Sequence, residues 1–227
     1  MAKRKKTIII MISFVAIVLL LGGTMAVFVA ATPVKEEVST TKLGIELVQT
    51  GDNQQSSAKS ISSANGKIEG FQYIGLPGDT VEEKIAVQNS ENKDCYVRVT
   101  VNRSWIDENS KKIFKAQGVA LYPEDIEITT MSSNWLVTTD PEDAEVMYCY
   151  YTKPLKAGAT TDNVMDSFSI LKNKIEENSN RYSKLATEIT FQADAIQTIA
   201  AKDAMLAEWG VVAEIDANGN ITSYTEQ

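Results

Sequence analysis

The sequence predicts a mainly β protein: a β-sandwich with short helical pieces near the C-terminus, preceded by an N-terminal signal helix. Three observations predict it. About eight short segments have strand character, turn-rich spacers separate them, and an apolar run follows a basic N-terminus.

Lys3, Arg4, Lys5 and Lys6 stand ahead of the apolar run Ile8 to Leu21, which is broken only by Ser13. This is the order of a secretory signal: the positive end stays on the cytoplasmic side and the rest of the chain is exported. Gly22-Gly23 breaks the helix, and Thr24-Met25-Ala26 puts small residues at the two positions a signal peptidase reads. Cleavage is therefore expected between Ala26 and Val27, with Val29-Ala30-Ala31 as the second candidate. The competing reading is an uncleaved anchor, because Thr7 to Val34 is free of charge and long enough to span a bilayer. The expected organisation is a signal peptide over 1–26, a mobile N-terminal arm over 27–41 and a single sandwich domain over 42–227.

Within the arm, Val27 to Ala31 is apolar and Thr32 to Thr41 is polar with one proline, so it reads as extended chain. Leu43, Ile45 and Leu47 then alternate with polar or small neighbours, the two-residue period of a half-buried strand. Thr50 to Gly66, rich in Gly, Asn, Gln and Ser, reads as a disordered loop. Strand character returns over Ile68 to Ile74 and stops at the turn Gly75-Leu76-Pro77-Gly78-Asp79. Val81 to Val87 and Cys95 to Val101 follow, and the second has the clearest alternation in the chain, with Cys95, Val97, Val99 and Val101 on one face.

Further strands are expected over Ile126 to Thr130, Trp135 to Thr139, Glu145 to Thr152 and Leu185 to Ile196. Val164 to Leu171 is apolar but of undecided type, and Lys172 to Lys184 carries the mixed charge of a solvent-facing helix or loop. Ala200 to Trp209 is Ala-rich, with Met205, Leu206 and Trp209 at helical spacing and Gly210 where a C-cap belongs.

Loss of residues 1–26 removes four basic groups and no acidic one, leaving 18 basic against 30 acidic residues and a net charge of about −12. Such a surface disfavours nucleic acid and anionic membranes as partners. Histidine is absent altogether. That excludes Ser-His-Asp and Cys-His catalysis and every His-containing zinc site. There is no Gly-rich phosphate loop, no CxxC pair and no calcium loop, and the acidic residues sit in turns such as Pro123-Glu124-Asp125 and Pro141-Glu142-Asp143. No catalytic residue, cofactor or metal ligand is expected.

Cys95 and Cys149 are the only cysteines. In an exported chain the pair is either a disulfide or two small buried hydrophobes within strands. Tyr148, Tyr150 and Tyr151 are read as packing residues rather than a sugar or peptide platform, as are Trp105, Trp135 and Trp209.

The order of the pieces resembles the TasA/camelysin family. The resemblance is carried by Gly22-Gly23-Thr24-Met25-Ala26-Val27-Phe28, Thr41-Lys42-Leu43-Gly44-Ile45-Glu46-Leu47 and Leu76-Pro77-Gly78-Asp79. Downstream it continues in Cys95-Tyr96-Val97-Arg98-Val99, in Tyr148-Cys149-Tyr150-Tyr151-Thr152-Lys153-Pro154-Leu155-Lys156-Ala157-Gly158-Ala159-Thr160-Thr161 and in the stretch Ile196 to Gly210. It implies a jelly-roll-like sandwich, export with a SipW-type signal peptidase, and a subunit of extracellular fibres in the biofilm matrix of Gram-positive bacteria. Its implied partners are copies of itself, as a homo-polymer, and co-secreted matrix proteins. Some relatives are classed as metallopeptidases, an activity this histidine-free chain does not support, and no family catalytic residue has a counterpart here.

A sandwich short of one strand exposes an edge that a neighbour's arm fills, so Val27, Phe28 and Val29 are the expected donor strand. The rival reading is a monomeric surface adhesin that binds through its aromatics and the loop Thr50 to Gly66. The exported form is predicted to begin at Val27, and mass spectrometry of its N-terminus checks this; a chain still starting at Met1 or Ala2 contradicts it.

Overall fold

The computed structural model describes residues 44–50, 57–130, 132–171, 182 and 184–226. The signal segment, the cleavage site Ala26/Val27, the donor residues Val27, Phe28 and Val29, and most of Lys172 to Lys184 lie outside the described residues.

The described chain is mainly β, in antiparallel sheets. Its order is β1 (Ile45–Gln49), β2 (Lys59–Ser62), β3 (Ile68–Tyr73), β4 (Thr80–Asn89), β5 (Cys95–Ile106), β6 (Lys115–Ala116), β7 (Val119–Ala120), β8 (Ile126–Thr129), β9 (Trp135–Thr139), β10 (Val146–Tyr151), β11 (Met165–Ile170), β12 (Ala186–Gln197), α1 (Ala201–Trp209), β13 (Val211–Ile215) and β14 (Ile221–Glu226). One sheet has four strands in the order β1-β4-β11-β8, and the other has six, β2-β3-β12-β5-β10-β9. Two hairpins, β6-β7 and β13-β14, stand apart from them.

Alternation in β5 decides the layering. Cys95, Val97, Val99, Val101 and Trp105 point to one side and are almost fully buried, together with Val81, Ile85 and Val87 of β4, Met165 and Phe168 of β11, Ile189 and Phe191 of β12 and Cys149 of β10. The two sheets thus share one core. The opposite face of the six-stranded sheet is covered in part by the C-terminal segment: Tyr96, Tyr150 and Ile196 meet Met205, Trp209, Val211, Ala213 and Ile221 in a second cluster.

That cover was only half legible. Helix α1 ends as the sequence predicts, with Gly210 at φ 68° donating its N–H to Leu206 at 3.1 Å. Its buried stripe is Ala201, Met205 and Trp209, four residues apart, whereas Leu206 faces solvent. Arg98 is held beneath the helix by Asp194 at 3.1 Å, its guanidinium 5.3 Å from the Trp209 ring and 5.5 Å from that of Tyr148. Hairpin β13-β14 was not anticipated, although its turn was signalled by Asp216-Ala217-Asn218-Gly219-Asn220. The Asp216 carboxylate accepts the N–H groups of Asn218 and Asn220, each at 2.8 Å, and Gly219 takes φ 84°.

Two other segments differ from expectation. Lys59–Ser62, inside the stretch read as a disordered loop, forms β2 by pairing with β3. The undecided run after Val164 is strand β11, paired on both sides with β4 and β8, because burial on both sheet neighbours suits Phe168 and Ile170 to alternate positions. Gly70 lets β3 approach β12: a Cβ there would lie 2.1 Å from the Ile189 carbonyl oxygen.

Phe168 is wholly buried, and its ring packs edge-on against Tyr73 at 5.8 Å. Phe168→Ala is expected to destabilise the fold by about 3–5 kcal/mol, read from the shift in a urea unfolding curve; a loss below about 1 kcal/mol would show that this core is loosely packed.

Candidate functional site

Several aspartates serve as turn fasteners. The carboxylate of Asp107 accepts two backbone N–H groups, from Asn109 and Lys111, and that of Asp140 accepts those of Glu142 and Asp143. Hydrogen bonds led by the N–H groups of Lys111, Glu142 and Asn220 hold Asp107, Asp140 and Asp216 below the usual carboxylate range. Asp162 is lowered in the same direction, first by the Asn134 side chain and then by Ser132, and so ties down the β8–β9 connection. Among the described residues no group of three His, Cys, Asp or Glu side chains is placed to hold a metal ion.

The aromatics singled out in the sequence are packing groups. Trp105, Trp135, Trp209, Tyr150 and Tyr151 are all buried. Trp105 donates its indole N–H to the Tyr122 carbonyl at 3.0 Å, and Trp135 donates to that of Asp162 at 3.1 Å. They offer no exposed platform.

Cys95 and Cys149 are free and buried. The disulfide weighed from the sequence is not formed, because Cys149 stands opposite Val99, four positions along β5 from Cys95. At a rise of about 3.3 Å per residue that offset is about 13 Å, roughly twice the Cα separation a disulfide tolerates. Their reading as small buried hydrophobes holds. Burial pushes the thiol of Cys95 up to about 11, with a smaller contribution from Asp94, and that of Cys149 up to about 12.

The sheet edges offer main chain for interaction. Among the described residues the end strands are β1 and β8 in the smaller sheet and β2 and β9 in the larger. In β1, the Gly44 carbonyl accepts the N–H of Ser90 at 2.7 Å and the Thr50 N–H donates to Lys84 at 2.9 Å. Antiparallel alternation then turns Gly44, Glu46, Val48 and Thr50 toward β4 and leaves the N–H and C=O groups of Ile45, Leu47 and Gln49 pointing outward. All five β1 residues are half-buried, and Ile45 and Leu47 fringe the core.

The β8 edge is different. The side chain of Ile126 lies in the core while its main-chain groups point outward there, but its carbonyl accepts a hydrogen bond at 3.0 Å from the guanidinium of Arg103 on β5. The same side chain donates to the Ala144 carbonyl, and burial lowers its pKa.

No protein-family model, curated protein or solved structure matches this chain.

Denatured under non-reducing conditions, the protein is expected to release two titratable thiols per chain, and the folded protein to react with a thiol reagent only on the timescale of unfolding. Absence of free thiol after denaturation would contradict the strand register.

Proposed function

We propose that this protein is a secreted, non-catalytic structural subunit that assembles into extracellular fibres by strand donation, at the cell surface or in the biofilm matrix. In this reading the donor is the arm segment Val27, Phe28 and Val29, freed by a SipW-type signal peptidase, and the principal partner is a second copy of the chain; co-secreted matrix proteins are further partners. The observation that carries the reading is a sheet edge with outward main-chain groups and half-buried apolar side chains, in a chain that has an apolar N-terminal arm to fill it. A jelly-roll-like connectivity is part of the proposal. It is supported by the way the chain alternates between sheets, from β3 to β4 to β5 and from β10 to β11 to β12.

The energetics make assembly conditional. Burying each large apolar side chain of the arm contributes about 1.5–3 kcal/mol, and each ladder hydrogen bond adds about 0.5–1.5 kcal/mol. Ordering the arm costs about 1–2 kcal/mol per residue. The terms nearly cancel, so concentration, pH or a co-secreted nucleating protein decides the outcome. Acidification helps by neutralising part of the negative surface.

Deletion of Val27 to Val38 is expected to abolish high-mass species while leaving a soluble, folded, β-rich monomer, as followed by size-exclusion chromatography, circular dichroism and electron microscopy. Fibres from the truncated protein, or an intact exported form that stays monomeric at high concentration and mildly acidic pH, would overturn strand donation and favour the monomeric adhesin.

A further inference from the structure

Three tight turns, over residues 63–67, 107–111 and 216–220, share one hydrogen-bond pattern. In each, the N–H of the first residue donates to the carbonyl of the fifth at 2.8–2.9 Å, and the carbonyl of the first accepts the N–H of the fourth at 2.9–3.0 Å. The fourth residue has a positive φ: 74° at Gly66, 58° at Ser110 and 84° at Gly219. The third is an exposed asparagine every time, Asn65, Asn109 and Asn218.

An asparagine followed by a small residue can modify itself. The main-chain nitrogen of the next residue gives up its proton and attacks the side-chain carbonyl carbon, forming a C–N bond. The bond from that carbon to the side-chain nitrogen breaks, and ammonia leaves with the proton. Water then opens the cyclic imide, at one carbonyl to aspartate and at the other to isoaspartate, so no oxidant or second protein is required. A side chain on the attacking residue hinders ring closure. That sets Asn109, followed by Ser110, behind Asn65 and Asn218, which both precede glycine.

The surroundings separate the remaining two. The Asp216 carboxylate accepts the N–H groups of Asn218 and Asn220, both at 2.8 Å, and the side-chain amide of Asn220 donates to it at 3.0 Å. The Tyr96 hydroxyl donates to the Gly219 carbonyl at 2.7 Å, and a Cβ on Gly219 would stand 3.2 Å from Pro154. The peptide groups that must rotate are therefore held, and the nearby carboxylate disfavours the deprotonated nitrogen that attack requires. Around Gly66 the space is open, with nothing within 4 Å of an added Cβ. Its turn begins with Ser63, whose hydroxyl accepts the Lys67 N–H at 3.2 Å, and among the described residues no side chain holds the N–H of Asn65. Freeing the Gly66 nitrogen breaks one main-chain hydrogen bond, to Ser63.

We propose that Asn65 is a self-modification site, at which attack by the Gly66 nitrogen yields isoaspartate and loosens β2. Isoaspartate routes the main chain through the side-chain carbons, lengthens the turn by one atom and adds a carboxylate. β2 has little to resist this change. It is four residues long, only Ile61 is half-buried, and its register with β3 is already irregular beside the turn, between Ile61 and Ser62.

The test incubates the folded full-length chain in mildly alkaline buffer beside the same chain denatured in urea, and follows each asparagine by peptide mapping and enzymatic methylation of isoaspartate. In the denatured chain Asn65 and Asn218 are expected to convert at similar rates. In the folded chain Asn65 is expected to convert at least about tenfold faster than Asn218 or Asn109, the effect of a barrier lower by about 1.4 kcal/mol. Equal rates, faster conversion at Asn218, or no conversion at Asn65 in the folded chain overturns the assignment. Asn65→Gln, which closes the ring far less readily, supplies the unmodified reference. After ageing, hydrogen exchange over β2 and β3 is expected to be faster in the natural chain than in Asn65→Gln; equal protection in a chain that has converted overturns the loosening of β2.

Discussion

Twelve consecutive residue pairs join β5 to β12, from Ile106 opposite Ala186 to Cys95 opposite Gln197, and the remaining architecture depends on that pairing. The register is fixed because a slip of one residue would turn the row Cys95, Val97, Val99 and Val101 out of the core and bring Tyr96 and Arg98 into it. With β5 anchored, β10 aligns on its other side and β3 on the far side of β12. The same alternation gives the two faces their separate tasks. The inner row meets the smaller sheet, and the outer residues Tyr96 and Arg98 receive α1 and the final hairpin.

Arg103 shows how one strand supports both structure and selectivity. It occupies an inward position two residues beyond Val101, where an aliphatic side chain would continue the core, yet it is nearly buried with its guanidinium on the carbonyls of Ile126 and Ala144. A buried charge is tolerated only when hydrogen-bonded, and here its acceptors are main-chain groups that an edge strand and a turn would otherwise leave unpaired. One side chain therefore satisfies the core and seals the β8 edge. Sealing an edge is a means of avoiding unwanted sheet extension, and β1 has no equivalent among the described residues.

The parts legible in the sequence are those where local pattern and tertiary environment agree. In β5 and β12 apolar and polar residues alternate because each strand has one face in the main core. The cap at Gly210 was readable because a positive φ at a helix end demands it. What escaped depends on partners distant in sequence. Lys59–Ser62 has the composition of a loop and becomes a strand only because β3 lies alongside. The cysteines show the same limit from the other side: both lie in runs that read as strands, but their separation follows from the β5–β10 register, which no local feature encodes. Edge availability, on which the proposed function turns, belongs to this non-local class. Nothing in Ile45-Glu46-Leu47 announces that, among the described residues, its strand lies at the end of a sheet.

An open edge is a hazard as well as a device, because any unpaired strand can add to it. The composition restrains that hazard. With a net charge of −8 over the whole sequence, copies of the chain repel one another at long range, so a contact between them must be specific to overcome it. Turn-fastening aspartates contribute to that repulsion, since the hydrogen bonds that secure Asp107, Asp140 and Asp216 also keep them ionised as the pH falls. Repulsion at these turns is consequently retained as the pH falls. The structure of these turns therefore persists as the pH begins to fall, because the hydrogen bonds that lower their carboxylates favour the ionised form that holds the loops together.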